Sequence, residues 1–263
     1  MQDFNRLGWD YLMAINLPRV LIACPTSDVK EYAWERYAKG LCCLSYSNFD
    51  IAIDDNSKSG DYFRKMKLFS DEWNASHENS KCIISRSGYS SPFARQRSVN
   101  SRNILRQKFL NGNYDYFFSL EQDVVSPTNV VERLLEHGKK IVSAAYFTGF
   151  PQYNSVRLVA FRHITPTNPA EPLWDVGEPF GIMEVLPARL MDVSVVGLGG
   201  VLIHRSVLEK VSFRYDPQSD GCDDMFFCHD ARKEGEKIFL DSSQLCQHYF
   251  DAWGTEYRKK GIY

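Results

Sequence analysis

Short apolar runs alternate with segments of helical periodicity along the first 146 residues, and this alternation restricts the possible folds. The apolar runs cover residues 19–24, 49–53, 82–85, 116–120 and 140–146, and the helical segments cover residues 29–44, 62–73, 91–110 and 129–136. Uninterrupted apolar runs are typical of strands covered on both faces, and a strand–helix repeat builds a parallel sheet with helices on either side. We therefore predict an α/β fold of three layers, α/β/α, around a mixed, mostly parallel central sheet.

Acidic residues follow two of these strands directly. Asp54 and Asp55 come after the second strand, and Glu121 and Asp123 come after the fourth. Ligands of open α/β sheets bind beyond the carboxyl ends of the strands. Carboxylates at that edge are suitable ligands for a divalent cation and, through it, for a phosphate. Acids are also common in solvated turns, and the residues alone favour that simpler interpretation.

The helical segment at residues 91–110 carries three arginines in one narrow sector, namely Arg95, Arg102 and Arg106. Such a stripe can face either a diphosphate or solvent. Val99 and Phe109 fall close to the same sector, so the pattern by itself favours a solvated face.

Composition and charge exclude several classes of protein. The 263-residue chain is 44% hydrophobic, which is ordinary for a soluble protein with a substantial core. A net charge of −2 gives no general attraction to nucleic acid, no apolar run reaches the length of a membrane span, and residues 1–6 do not resemble a signal peptide.

Seven cysteines without a tight spacing pattern indicate a reducing compartment, so we expect a cytoplasmic protein. Structural zinc is disfavoured because no C-x-x-C accompanies the candidate ligands Cys222, Cys228, His229, Cys246 and His248.

Residues 147–192 interrupt the strand–helix order. They are rich in proline and glycine and include Trp174. Irregular segments of this length tend to be functional, so we interpret this one as a substrate-facing excursion. Residues 193–204 follow as one predicted strand that contains Gly199 and Gly200, and glycines inside a strand indicate backbone that passes close to a ligand.

Taken in order, the motifs of this chain resemble those of the GT-A fold glycosyltransferases, nearest the inverting family 2 type, over about residues 19–248. In the first half, Pro25 and Thr26 end the first strand as in that family, Asp54-Asp55-Asn56-Ser57 is similar to its D-D-G-S turn, Arg102-Asn103 is placed like its A-R-N motif, and Glu121-Gln122-Asp123 takes the place of its D-x-D motif. The resemblance implies that the nucleotide-sugar is bound by Pro25, Thr26, Asp54, Asp55, Asn56, Arg95, Arg102, Asn103, Glu121 and Gln122.

The second half carries the remaining motifs. Residues 197–205 resemble the glycine-rich strand near the acceptor, Asp223-Asp224 with Arg232 and Gly235 resembles an E-D…R…G segment, and His248 stands where a third metal ligand is often found. The resemblance implies acceptor binding by Gly199, Gly200 and Trp174. It also implies a metal site of Asp123, His248 and Glu121, and a catalytic base at Asp224 supported by Asp223.

Three positions depart from the family pattern. Glu121 replaces the first aspartate of D-x-D, which changes the reach of that carboxylate. Asn56 replaces a glycine, and asparagine also accepts left-handed backbone geometry. Asp223 replaces a glutamate, so the choice of base within the Asp223–Asp224 pair stays open.

The function implied by the resemblance is a Mn²⁺- or Mg²⁺-dependent glycosyltransferase. It would move a sugar from a UDP- or GDP-linked donor to a glycan or other hydroxyl acceptor, with inversion. We expect one domain over residues 1–263, with a nucleotide-binding half at about 19–125, an acceptor-binding half at about 126–250 and a tail at 251–263.

Two other functions stay open. One is a sugar-phosphate nucleotidyltransferase on a related sheet, although residues 25–28 lack the glycine-rich, basic loop that such enzymes carry after the first strand. The other is a non-catalytic carbohydrate-binding protein, which the presence of both the proposed base and the metal carboxylates disfavours.

Overall fold

The structure is a computed structural model that describes residues 17–150, 154–164, 176–219 and 221–249. The described helices are α1 (Trp34–Cys42), α2 (Asp61–Ser76), α3 (Ala94–Asn111), α4 (Val130–Glu136), α5 (Arg205–Leu208) and α6 (Asp223–Lys233), with 3-10 helices at Asp28–Ala33 and Ile182–Val185. The described strands are β1 (Val20–Thr26), β2 (Phe49–Asp55), β3 (Cys82–Arg86), β4 (Tyr116–Leu120), β5 (Val124–Val125), β6 (Ile141–Ala145), β7 (Phe147–Phe150), β8 (Ser155–Leu158), β9 (Ala160–His163), β10 (Val176–Pro179), β11 (Leu190–Val193), β12 (Val195–Val196), β13 (Gly200–His204), β14 (Ile238–Leu245) and β15 (Gln247–His248). None of the helices in these ranges is long and apolar enough to span a bilayer.

Eight strands form the central sheet, in the order β11-β14-β6-β13-β4-β1-β2-β3. Strands β1, β2, β3 and β4 pair in parallel, and so do β6 and β14. Strand β13 runs antiparallel to both β4 and β6, and β11 runs antiparallel to β14. The predicted mixed, mostly parallel α/β sheet is therefore confirmed.

Both faces of this sheet are covered by apolar side chains. Successive residues of β1 point to opposite faces, so Leu21 packs in one cluster with Phe109 of α3, while Ile22 packs in the other with Trp34 of α1. All of these side chains are at least 95% buried. An uninterrupted apolar strand is the sequence pattern that such a two-sided environment requires.

Several predicted boundaries differ from the structure. Strand β1 continues through Pro25 and Thr26, which pair with Asp54 and Asp55 of β2. The helix predicted at residues 29–44 is divided into a 3-10 helix and α1.

The strand predicted at residues 193–204 is three pieces, because the chain bends at Ser194 and turns at Leu198 and Gly199. A β-carbon at Gly197 would collide with the hydroxyl of Tyr146. The close approach that Gly197 and Gly199 permit within the protein is to Tyr146. That the glycines of this segment also admit a ligand stays a prediction.

A two-stranded sheet beside the central one positions the end of the described chain. Strands β5 and β15 pair antiparallel, with His248 opposite Val124. The backbone N–H of Tyr249 also donates to the carbonyl of Asp123 at 2.8 Å. Residues far apart in sequence thereby meet at the carboxyl end of β4.

Candidate active site

The turn that follows β4 forms the centre of the site. Glu121 donates its backbone N–H to the carbonyl of Gly199 at 3.2 Å, and the N–H of Val124 closes the turn on the carbonyl of Glu121 at 2.9 Å. The side chain of Asp123 is fully buried there, whereas that of Glu121 is 23% exposed. The turn lies at the edge where open α/β sheets bind their ligands.

His248 lies beside the buried carboxylate of Asp123. Its Nε2 is 3.6 Å from Asp123 Oδ2, and its Nδ1 is 3.0 Å from the carbonyl oxygen of Phe147. Because a carbonyl only accepts hydrogen bonds, Nδ1 carries the proton in that contact and Nε2 faces the carboxylate. Metal-binding histidines are commonly oriented in this way, so the structure brings together two of the three predicted metal ligands.

Lys30, to which the sequence patterns assign no role, also lies in this turn. Its Nζ is 2.9 Å from Glu121 Oε2 and 2.9 Å from Asp123 Oδ1. Burial by itself would raise the pKa of Asp123, but Lys30 and His248 outweigh burial and hold that pKa well below its usual range. The two acids are therefore ionised and share one ammonium group.

Arg102 joins this turn to α6. Its guanidinium, 3% exposed, donates from Nε to Asp223 Oδ2 at 2.8 Å and from Nη1 to Ser119 Oγ at 2.8 Å, and its Nη2 bonds Glu121 Oε1. The expectation of a solvated arginine stripe on this helix is therefore wrong at Arg102. One buried cation instead connects the D-x-D-like turn with the predicted catalytic acids.

Asp223 and Asp224 form the first turn of α6. Asp224 is half-buried, and its Oδ1 accepts the N–H of Met225 at 2.7 Å. Burial and the neighbouring Asp223 raise the pKa of Asp224 to about 7. A carboxylate with a pKa near neutrality can accept a proton during a reaction and release it again afterwards.

The acids that follow β2 are engaged in different ways. Asp54 is fully buried and accepts hydrogen bonds from Ser85 at 2.7 Å and from Ser101 at 2.7 Å, and Ser87 adds a third hydroxyl at 2.5 Å. Asp55 accepts the N–H of Ser57 at 2.9 Å through Oδ1. Its buried Oδ2 has no hydrogen-bond partner among the described residues and lies 3.7 Å from Nε of Arg86. Burial raises the pKa of Asp55.

A cavity of about 250 Å³ opens beside this turn. Tyr89 lines it, with the guanidinium of Arg97 4.5 Å and the ammonium of Lys58 5.8 Å from the centre of its ring. The other lining residues are Ser27, Asp28, Val29, Asn56, Ser57, Pro92 and Ala94. A larger cavity of about 310 Å³ surrounds Trp73 and His77 near the start of β2, away from the acids described above.

Asn56 does not use the left-handed geometry that its replacement of glycine suggests. Among the non-glycine residues described, only Asn154 has a positive φ. The side-chain amide of Asn56 instead donates to Ser101 Oγ at 3.1 Å. That contact ties the turn after β2 to α3.

The other predicted donor-binding residues are distributed around the turn. Thr26 bonds the side chain of Gln122, whose Nε2 donates to the carbonyl of Lys30 at 2.5 Å. Asn103 is held by the backbone of Phe213, donating to its carbonyl at 2.8 Å and accepting its N–H at 3.1 Å. Arg95 is half-buried near α6, where it opposes the rise in the pKa of Cys222 to about 12 that burial causes.

The predicted acceptor side contains a residue that the sequence patterns miss. Tyr146 accepts the N–H of Gly199 at 3.0 Å, and burial together with the charges of Glu121 and Asp224 raises its pKa well above the usual value. Its phenol is therefore neutral and lies between the two acidic elements. Gly200 is buried in β13, and Trp174 lies outside the described residues.

Asp123 and His248 offer oxygen and imidazole donors that suit Mn²⁺ or Mg²⁺. Within the described ranges, however, no three His, Cys, Asp or Glu side chains form a group that could hold a metal ion. The predicted set of Asp123, His248 and Glu121 is thus not assembled, because both oxygens of Glu121 contact cationic side chains. The Asp123–His248 pair fits part of a metal site.

Comparison by sequence and by structure gives different results. The sequence matches no protein-family model and no curated protein. By structure, the chain is similar to GalNAc-T7 with UDP, GalNAc and Mn²⁺, at a TM-score of 0.58 and 12% identity over 89% of this chain and 44% of that one. It is also similar to TarS 1–349 of S. aureus in complex with UDP-GlcNAc, at a TM-score of 0.54 and 11% identity over 87% of this chain and 57% of that one.

A third similar structure is the mannosyltransferase PcManGT from Pyrobaculum calidifontis in complex with GDP-Man and Mn²⁺. The TM-score is 0.53 and the identity 13%, over 87% of this chain and 56% of that one. This chain spans about half the length of these three proteins. The eight-stranded mixed sheet and these neighbours together show that the chain has the GT-A fold of the glycosyltransferases.

Proposed function

We propose that this protein is a glycosyltransferase that uses a nucleoside-diphosphate sugar and a divalent cation. The observation that carries the proposal is the contact made by Arg102, which binds Glu121 of the D-x-D-like turn and Asp223 of the acidic pair. A leaving diphosphate and an attacking hydroxyl must lie on opposite sides of one sugar carbon. The contact of Arg102 supports a single cleft in which both could be held.

The donor would lie across the carboxyl ends of β1, β2 and β4. The cavity beside Asn56 and Tyr89 is suited to a nucleoside, since Tyr89 is 49% exposed and its ring offers a stacking surface. Asp55, with a buried oxygen that lacks a hydrogen-bond partner among the described residues, would accept a hydrogen bond from the base or ribose. Arg102 would place its buried positive charge near the diphosphate, since its three guanidinium nitrogens already bond Asp223, Ser119 and Glu121.

Asp123 and His248 would hold the cation, which when bound supplies positive charge to the departing phosphate. Asp224 would take the proton of the acceptor hydroxyl. The hydroxyl oxygen then forms the new bond to the anomeric carbon, and the bond to the diphosphate breaks with its electron pair leaving on the phosphate. The pKa of about 7 for Asp224 suits this role, because the group is largely ionised just above neutrality and still basic.

The acceptor would approach from the side of Asp223 and Tyr146. The neutral phenol of Tyr146 lies near the charges of Glu121 and Asp224, where it offers a hydrogen-bonding group to an acceptor hydroxyl. Asp223, held by Arg102, lies beside Asp224 and helps to raise the pKa of that base. Inversion of the anomeric centre is the outcome that this one-step displacement predicts.

The experiment is a panel of nucleoside diphosphates and their sugars, with and without Mn²⁺. A ligand present at about 100 times its Kd stabilises the folded state by about 2.7 kcal/mol, which for a chain of this length raises Tm by about 5 °C. The donor found in this way is then tested for hydrolysis and for transfer to glycan acceptors. Asp123→Ala should lose both the Tm shift with Mn²⁺ and turnover, whereas Asp224→Asn should keep the shift and lose turnover.

Asp230→Asn is the matched control, because Asp230 lies on the same helix and pairs with Arg214 at 2.6 Å. It should keep both the Tm shift and turnover. Release of pyrophosphate from a nucleoside triphosphate and a sugar phosphate would instead favour nucleotidyl transfer. A Tm shift without turnover for any donor and acceptor would favour a carbohydrate-binding protein.

A further inference from the structure

Lys30 places a positive charge between the two carboxylates of the turn after β4. The ammonium nitrogen is equally far, 2.9 Å, from an oxygen of Glu121 and from an oxygen of Asp123. The lysine side chain is 20% exposed, so most of its length lies inside the protein. A lysine ammonium is a compact point charge, and here it lies between acids that suit a divalent cation.

The contact is supported by the backbone as well as by the side chains. Gln122, the residue between the two acids, donates from Nε2 to the carbonyl of Lys30 at 2.5 Å. The N–H of Lys30 donates to the carbonyl of Ser27 at 3.0 Å, which sets the start of the 3-10 helix. The turn after β4 therefore contacts both the backbone carbonyl and the ammonium group of Lys30.

A surface lysine nearby shows the difference. Lys65 pairs with Glu31 at 2.8 Å, but the side chains are 41% and 50% exposed, so solvent screens the pair. The contacts of Lys30 involve a fully buried carboxylate. Solvent therefore screens the contact of Lys30 with Asp123 far less than it screens the pair of Lys65 and Glu31.

The ammonium and a divalent ion cannot occupy this position together. A divalent ion bonds carboxylate oxygens at about 2.1 Å. An ion that bridges Glu121 and Asp123 would take the place of the ammonium, and one held by Asp123 Oδ2 and His248 would lie directly beside the ammonium on Oδ1. The two positive charges would also repel each other strongly at such short range. One must leave before the other binds.

We propose that Lys30 is a resident competitor of the divalent cation, which reaches Asp123 only when the ammonium leaves the two acids. The proposal rests on the proposed function for the reason why the protein binds a divalent cation. The competition itself is a property of the protein in the absence of a sugar donor. A displaced ammonium can bind phosphate oxygens. A nucleoside diphosphate that draws Lys30 away from the acids would therefore strengthen Mn²⁺ binding, and Mn²⁺ would strengthen nucleotide binding by the same factor.

The test is direct measurement of Mn²⁺ binding to the full chain at constant pH, by the electron paramagnetic resonance signal of free Mn²⁺. Lys30→Gln and Lys30→Met should each bind Mn²⁺ about tenfold more tightly or better than the parent, because the competing charge is gone. Lys65→Gln is the matched control and should bind as the parent does. Adding Asp123→Asn to Lys30→Gln should abolish the gain.

A measurement on the unaltered protein covers the case in which the Lys30 variants do not fold. Acylation of lysines by an amine-reactive ester, followed by mass spectrometry, should label Lys30 more in the presence of Mn²⁺, while labelling of Lys65 stays constant. Unchanged or weaker Mn²⁺ binding in both folded Lys30 variants would overturn the proposal. An equal extent of Lys30 labelling with and without Mn²⁺ would overturn it as well. If Mn²⁺ behaves as expected but no donor is bound or turned over, the proposed function fails and the competition stands.

Discussion

The pH dependence of turnover is the sharpest test of the role given to Asp224. The ordinary pKa of an aspartate, 3.8, is raised here to about 7, first by burial and then by Asp223. A base with this pKa is ionised in about one molecule in eleven at pH 6 and in about ten of eleven at pH 8. Donor hydrolysis should therefore fall about tenfold between pH 8 and pH 6, and about tenfold for each further unit below.

Two substitutions in α6 separate the contributions to this pH profile. Asp224→Asn should lower turnover by about 100-fold or more and leave no acid limb, because the group that titrates is gone. Asp223→Asn should move the limb to lower pH, because the neighbouring negative charge that disfavours ionisation of Asp224 has been removed. Asp230→Asn, on the same helix but outside the site, should leave the limb in place.

The assay measures kcat/KM for release of the nucleoside diphosphate at constant ionic strength from pH 5 to pH 9. It uses the donor identified by the rise in Tm. An acid limb that is unchanged in Asp224→Asn would refute the assignment of the base. So would a parent profile that stays flat from pH 9 down to pH 5, which is what an aspartate with the ordinary pKa of 3.8 would give, because burial could then not be acting on the titrating group.

Three predictions concern stability. First, the raised pKa of Asp224 contributes to the stability of the folded state fully below pH 3.8, and this contribution is lost as the pH rises to about 7. The Asp224→Asn variant lacks this dependence. Its unfolding free energy in urea, relative to that of the parent, should therefore be higher at pH 8 than at pH 5. Second, Arg102→Met should lower the unfolding free energy by about 3 kcal/mol and Tm by about 6 °C in calorimetry, because it removes the cation that Glu121 and Asp223 share. The control Arg162→Met, which breaks an exposed pair, should lower the unfolding free energy by under about 1 kcal/mol. Third, Gly197→Ala should cost about 1–3 kcal/mol by urea unfolding because its β-carbon meets Tyr146, whereas Gly60→Ala, with 3.8 Å to the nearest atom, should be close to neutral; equal costs at both glycines would contradict the packing argument.

Much of the central sheet could be predicted because its strands lie between two helical layers. Such strands must be apolar on both faces, and residues 116–120 show that pattern without interruption. The acids at the ends of β2 and β4 were visible for the same reason, since polar residues mark the point where the strand leaves the core. The position of β13 was not visible, because an antiparallel strand between two parallel ones has the same apolar composition as its neighbours.

The charged contacts of the site were harder to foresee. Lys30 and Asp123 are 93 residues apart, and a single lysine in a short 3-10 helix has no pattern that distinguishes it from a surface lysine. The sequence pattern predicts a solvated face for Arg102 because its helix has no clean apolar stripe, and the helix lacks one because a buried guanidinium takes the place of an apolar side chain. The sequence pattern places Tyr146 as the last apolar residue of a strand. Only the structure shows that its hydroxyl lies against Gly197 and accepts the backbone N–H of Gly199.

The placement of β13 has a consequence for the way the polypeptide emerges during synthesis. The gap between β4 and β6 is filled by a segment made about 55 residues after β6, so the middle of the sheet stays open until residues 200–204 have left the ribosome. A nascent chain that stops before this point exposes the backbone hydrogen-bonding groups of two buried strands. The first 145 residues are therefore expected to need protection from aggregation, and fragments that end between β6 and β13 should be recovered mainly in the insoluble fraction.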